Sequence, residues 1–131
     1  MGETMSELLC LELSVVLWLV YLFTQILTSR AEYGDAWLFT PRDDFPPAKG
    51  LACGRAKRAL ANYIENWVPF VAVDLALITT HHAGSVGAWI WVIARLVYLP
   101  AYVLGWIYVR TALWGIGLIG LLMMLVQLAL L

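Results

Sequence analysis

The sequence predicts an all-α integral-membrane protein, a bundle of four transmembrane helices forming one domain over residues 1–131. Three observations carry that prediction. Hydrophobic residues make up 63% of the chain and charged residues 13%, against roughly 45–50% and 25% in soluble domains. Four stretches approach the length of about 20 largely apolar residues that a bilayer-crossing helix needs. The basic residues, finally, gather on one side of those stretches. A soluble globule of this size has too little interior to hide so much apolar surface.

The first helix is expected from Leu8 to Thr28, "LLCLELSVVLWLVYLFTQILT", with Glu12 near its outer end. The preceding "MGETMSE" is acidic where a secretory signal needs a positive region, so no cleaved signal peptide is expected. Ser29 to Gly54 is polar and Pro-rich, carries "TPRDDFPPAKG", and reads as an ordered loop. The second helix is expected from Arg55 to about Thr80, followed by the short break "HHAGS" at His81 to Ser85. The third runs from about Val86 to Tyr108 and the fourth from Thr111 to Leu131. No internal repeat is evident.

Lys and Arg in short loops mark the cytoplasmic side. Arg30, Arg42, Lys49, Arg55, Lys57 and Arg58 lie in the first loop and its helix edges, and Arg110 lies in the third connection. Seven of the eight basic residues thus fall on one side of a four-span chain. Loops one and three are therefore expected in the cytoplasm and both termini on the opposite side. The net charge of −1 argues against a nucleic-acid partner. Cys10 and Cys53 have no metal-ligand spacing, and a disulfide between them is not expected.

Arg95 is the exception, inside the third span. It belongs to a pattern. Residues three and four apart share a helix face, so Arg55, Arg58, Asn62 and Glu65 form one stripe on the second helix. Arg95, Tyr98 and Tyr102 form another on the third, with Arg110 just beyond its end. Ionisable residues inside a membrane normally face a partner or a water-filled cavity. Both stripes approach the same membrane face, which predicts one polar cavity open to the cytoplasm. Guanidinium forks bind carboxylates bidentately, and Glu65 can hold an ammonium group. A small zwitterion with more than one carboxylate suits that inventory, and glutathione is such a molecule. Plainer roles fit the same residues: interface anchors for Arg55, Lys57 and Arg58, a structural Glu65–Arg95 pair, and packing for the two tyrosines. Periodicity supports a polar site and does not identify its ligand.

The residues also resemble a known family. "RALANYIENWVPF" (Arg58 to Phe70) resembles the Arg-Ala-x-x-Asn-x-x-Glu-Asn-x-x-Pro-Phe signature of the membrane-associated proteins in eicosanoid and glutathione metabolism, the MAPEG superfamily. "ARLVYLPAY" (Ala94 to Tyr102) resembles its third-helix element, and "VRTALW" (Val109 to Trp114) the start of its fourth helix. The resemblance implies a homotrimer of four-helix protomers that binds glutathione between neighbours near the cytoplasmic face. It implies glutathione contacts for Arg58, Asn62 and Glu65 on the second helix and for Arg95, Tyr98 and Tyr102 on the third. Arg110 looks like the arginine that stabilises the glutathione thiolate. Arg55 and Arg42 are further candidates near the pocket mouth.

The loop "TPRDDFPPAKG" and the end "GLIGLLMMLVQLALL" look most like bacterial members, which implies a bacterial inner membrane. The function implied is a glutathione transferase or peroxidase acting on lipophilic small molecules that arrive through membrane lipid. The alternative is a non-catalytic subunit of a larger membrane complex, its stripes serving as ties between protomers. Other features carry plainer expectations. His81 and His82, about 100° apart on a helix, are poor joint ligands, and no metal is expected. Asp74, nine residues from Glu65, belongs to the opposite helix face. Asp43 and Asp44 read as loop residues, and the seven tryptophans as interface and packing residues. Gly115, Gly117 and Gly120 lack the spacing of the Gly-x-x-x-Gly motif.

Overall fold

A computed structural model describes residues 2–43, 50–84 and 86–131, and the chain is helical nearly throughout. The helices are α1 (Gly2–Tyr33), α2 (Asp35–Leu38), α3 (Leu51–Thr79), α4 (Val86–Val103) and α5 (Ile107–Ala129). Asp44 and Lys49, expected in the first loop, and Ser85, expected in the second, lie outside the described residues. Three helices are long and apolar enough to cross a membrane: α1, α4 and α5. They make the chain an integral membrane protein. The 29-residue α3 is also long, but it carries Arg55, Lys57, Arg58, Glu65 and Asp74 and is not among the three. Length does not set it apart.

The helices associate as two pairs, α1 along α3 and α4 along α5, joined through α3 and α4. In lipid, burial of apolar surface does not drive helices together, so close packing and interhelical hydrogen bonds must. Both are present. An added Cβ on Gly87 would lie 2.6 Å from the Gly120 carbonyl oxygen, and one on Gly120 would lie 2.6 Å from the Gly87 carbonyl oxygen. The α4 and α5 backbones therefore touch where both lack a side chain. Facing glycines on two helices achieve here what a Gly-x-x-x-Gly motif achieves on one.

The α1–α3–α4 junction is aromatic. Phe70 stacks on Trp91 with centroids 4.0 Å apart, and Tyr63 contacts both Tyr21, at 4.5 Å, and Trp91, at 5.5 Å. The polar tips of these rings are satisfied across helices. Tyr21 donates to the Arg95 carbonyl at 2.7 Å, Trp67 to the Ser14 hydroxyl at 2.9 Å, and Tyr63 to the Ser14 carbonyl. Trp89 donates to Ser6 at 2.8 Å and fastens the far end of α4 to α1. Outside, Val15, Val16, Leu19 and Phe23 on α1 and Ile116, Ile119 and Leu122 on α5 are exposed and meet lipid.

Several helix ends differ from the expected bounds: α1 runs from Gly2 to Tyr33 rather than Leu8 to Thr28, α3 starts at Leu51 rather than Arg55, and the stretch expected as a loop, Ser29 to Gly54, is helical in part. The third long helix stops at Val103 rather than Tyr108, because Gly105 adopts φ 79°. Trp106 N–H then bonds back to the Ala101 carbonyl at 2.9 Å and Gly105 N–H to Tyr102 at 3.1 Å, the double bond of a Schellman C-cap. The fourth long helix consequently begins at Ile107, and Arg110 lies in its first turn instead of in a connection. The same cap closes α3 with His81 in the left-handed position at φ 58°, where His82 N–H returns to Leu77 at 3.0 Å. His81 is a turn residue.

Candidate functional site

The 3- and 4-residue spacings on α3 and α4 turn Arg58, Asn62 and Glu65 towards Tyr98 and Tyr102, and the early start of α5 brings Arg110 to the same place. Together with Ala61, Thr111 and Trp114 these residues line one cleft of about 400 Å³. Arg58 Nε donates to the Tyr102 hydroxyl at 3.3 Å, across 44 residues of sequence. The Arg110 guanidinium lies over the Tyr102 ring, 4.6 Å from its centroid, a cation–π contact that orients it without using its N–H donors. The Tyr98 and Tyr102 rings are 5.6 Å apart. Glu65 is exposed and makes no ion pair or hydrogen bond among the described residues. The cleft therefore offers two guanidiniums, a carboxylate and an amide, framed by two phenols. Such a set holds a molecule with carboxylates at one end and an ammonium group at another.

Three residues expected from sequence at the site, Arg95, Arg55 and Arg42, do not line the cleft. Arg95 is buried, 1% exposed, beneath the cleft floor. Its Nη1 donates to Asn62 Oδ1 at 2.7 Å, while Nε and Nη2 have no hydrogen-bond partner among the described residues. The rings of Trp91 at 5.6 Å and Tyr98 at 5.0 Å face the charge. With Asn62 Oδ1 engaged, the amide is oriented as a donor into the cleft. Arg95 thus meets the cleft residue Asn62, and among the described residues it forms no pair with Glu65. Arg55 donates to the Val103 carbonyl at 3.2 Å and its guanidinium packs against Gly105. It caps the C-terminal end of α4, where unpaired carbonyls favour a cation. Arg42 lies elsewhere, over the Trp37 ring at 5.3 Å and donating to the Leu38 carbonyl.

Ala61, Thr111 and Trp114 were not singled out from sequence, although the signal existed. Ala61 follows Arg58 by three residues and Trp114 follows Arg110 by four, so each shares the face of an arginine that was. At the other end of the bundle Glu7 and Asp74 are fully buried. The Gly84 N–H donates to Glu7 Oε1 at 3.4 Å, but Glu7 Oε2 and both Asp74 oxygens have no hydrogen-bond partner among the described residues. Asp74 faces inward while Glu65 is exposed, as their spacing on one helix requires. Among the described residues no group of three His, Cys, Asp or Glu side chains is arranged to hold a metal ion.

Searches of curated proteins and of solved structures return no significant match. A family model does match, over residues 10–130, a span that contains every residue lining the cleft. By that match over nearly its whole length the chain belongs to the MAPEG family.

Proposed function

We propose that this protein is a membrane-bound glutathione transferase or peroxidase, a homotrimer of four-span protomers whose cleft opens on the cytoplasmic side. The observation that carries the reading is the meeting of Arg58, Asn62, Glu65, Tyr98, Tyr102 and Arg110 in one cleft. Arg58 would hold a glutathione carboxylate, Glu65 its ammonium group, and the Asn62 amide its peptide backbone. Arg110, held against Tyr102, would favour the thiolate, the nucleophilic form of the thiol. A lipophilic electrophile entering from the bilayer then receives the sulfur. With a carbon electrophile a C–S bond forms and the leaving group departs. With a lipid hydroperoxide the sulfur takes one oxygen and releases the alcohol, and a second glutathione reduces the sulfenic acid, giving the disulfide and water.

A structural reading also has an observation behind it. Arg95 and Arg55 serve as ties, one to Asn62 on α3 and one to the end of α4. A subunit that keeps the fold for assembly alone would need nothing more. Calorimetric titration of glutathione into the purified protein separates the two. The catalytic reading expects saturable binding that weakens about tenfold or more in Arg58→Ala, the loss typical of a hydrogen bond to a charged group. It also expects Arg110→Ala to lower turnover at least tenfold while the oligomer stays intact. Absence of binding at millimolar glutathione would falsify it and leave the assembly role.

A further inference from the structure

We propose that Trp114 is the wall on which the second substrate lies, and that it selects flat, aryl-conjugated electrophiles over alkyl ones. The proposal rests on the glutathione reading above and names the acceptor that reading leaves open. It starts from how the other indoles are used. Trp18 and Trp67 stack on each other at 5.8 Å, Trp37 stacks on Tyr33 at 4.4 Å, and Trp91 stacks on Phe70 at 4.0 Å. Trp89 donates to Ser6. Trp114 has no ring contact and no hydrogen bond among the described residues. It is 39% exposed, and it lines the cleft. Trp106 is more exposed, at 53%, but sits in the turn before α5 and does not line the cleft.

Position along α5 gives the indole its role. Trp114 follows Arg110 by four residues, so it shares that face and lies about 6 Å further along the helix axis. α5 runs from its Arg110 end into its most apolar stretch. The indole therefore stands between the polar end of the cleft and the hydrocarbon, next to the guanidinium that would hold the thiolate. A molecule entering from lipid meets Trp114 before it meets Arg110. An open indole face favours flat π systems, which gain by offset stacking beyond simple burial. Alkyl chains lack that gain.

The step is an addition. The thiolate sulfur bonds to the β-carbon of an aryl enone, and the π pair moves onto the carbonyl oxygen as an enolate. The proton that the thiol gave to water returns from water to the α-carbon. The sum is one S–H added across one C=C bond, with no oxidant or reductant.

The test compares two enones with the same reacting group, 4-phenylbut-3-en-2-one and oct-3-en-2-one, in glutathione-dependent initial rates. In Trp114→Ala the KM for the phenyl enone should rise about tenfold, the upper end expected for one lost stacking contact. The KM for the alkyl enone should change less than twofold, and Trp114→Phe should stay near wild type. Equal changes for both enones, or none, would overturn the proposal. In parallel, the protein carrying 5-fluorotryptophan in lipid nanodiscs is titrated with the unreactive 4-phenylbutan-2-one and followed by fluorine NMR. The Trp114 line is assigned by its loss in Trp114→Phe. It should shift saturably while the Trp106 line does not. Joint movement of both lines, or no movement, would make Trp114 an interfacial anchor and overturn the proposal. If wild type turns over neither enone, the transferase reading fails by itself, and the NMR titration alone decides the Trp114 site.

Discussion

Arg58, Asn62 and Arg95 show how much one residue's role depends on depth. All three are polar residues at helical spacing in an apolar chain, yet Arg58 is exposed in the cleft and Arg95 is sealed below it. A buried guanidinium facing two rings and one amide is costly to leave unpaired, and the hydrogen bond to Asn62 is where it is partly satisfied. Periodicity placed them on facing stripes without separating them, because it reports direction around a helix, not depth beneath its neighbours. Asp74 makes the same point from the other end, with both carboxylate oxygens buried and unpartnered among the described residues. A buried polar group without a partner costs roughly 1–3 kcal/mol. Asp74→Leu, close in volume and without polar atoms, should therefore raise the unfolding midpoint in detergent. A fall in that midpoint would mean that Asp74 has a partner in the bilayer.

At the scale of elements, the long helices were legible; the ends of several were not, and three of the four expected spans are apolar enough to cross a membrane. Hydropathy marks where a helix can run, but "VLGWIYV" (Val103 to Val109) is apolar throughout. Only the left-handed Gly105 cuts it, and Arg55 stabilises the cut from α3. That break moves Arg110 into a helical turn facing Tyr102. The other cap uses His81 at φ 58°, a conformation that costs an L-residue about 1–2 kcal/mol and glycine almost nothing. His81→Gly should accordingly stabilise the protein by about 1 kcal/mol, read as a rise in thermal midpoint. Gly87→Ala should do the opposite. Its new methyl would lie 2.6 Å from the Gly120 carbonyl oxygen and 2.8 Å from Met124 Cγ on α5; the side chain can turn away but the backbone cannot, and overpacking of this kind costs about 1–3 kcal/mol. A Gly87→Ala protein as stable as wild type would show that α4 and α5 are less closely fitted than their glycines require.

At the scale of the whole molecule, three helices share the polar site: Arg58, Asn62 and Glu65 come from α3, Tyr98 and Tyr102 from α4, and Arg110 from α5. The cleft that results is open, with Glu65 exposed and free of described partners. Within one protomer Glu65 supports nothing, so Glu65→Gln should leave protomer stability unchanged while weakening glutathione binding about tenfold or more, as expected for a lost charge-assisted contact. Dissociation of the proposed trimer by Glu65→Gln, seen by native mass spectrometry, would instead place Glu65 in a tie between copies. The sequence by itself determined that the chain is helical and membrane-embedded, that it belongs among the MAPEG proteins, and which residues share a helix face. Composition and periodicity suffice for the helices, the membrane and the shared faces, because each depends on a residue's immediate neighbours and its solvent, and the motifs from Arg58 to Trp114 carry the family. Tertiary structure alone decided that Arg55 caps a helix, that Arg95 is buried under Asn62, that Gly87 meets Gly120, and that Trp114 joins the cleft. Those facts depend on how helices are offset and rotated against one another, which is set by packing between residues far apart in the chain.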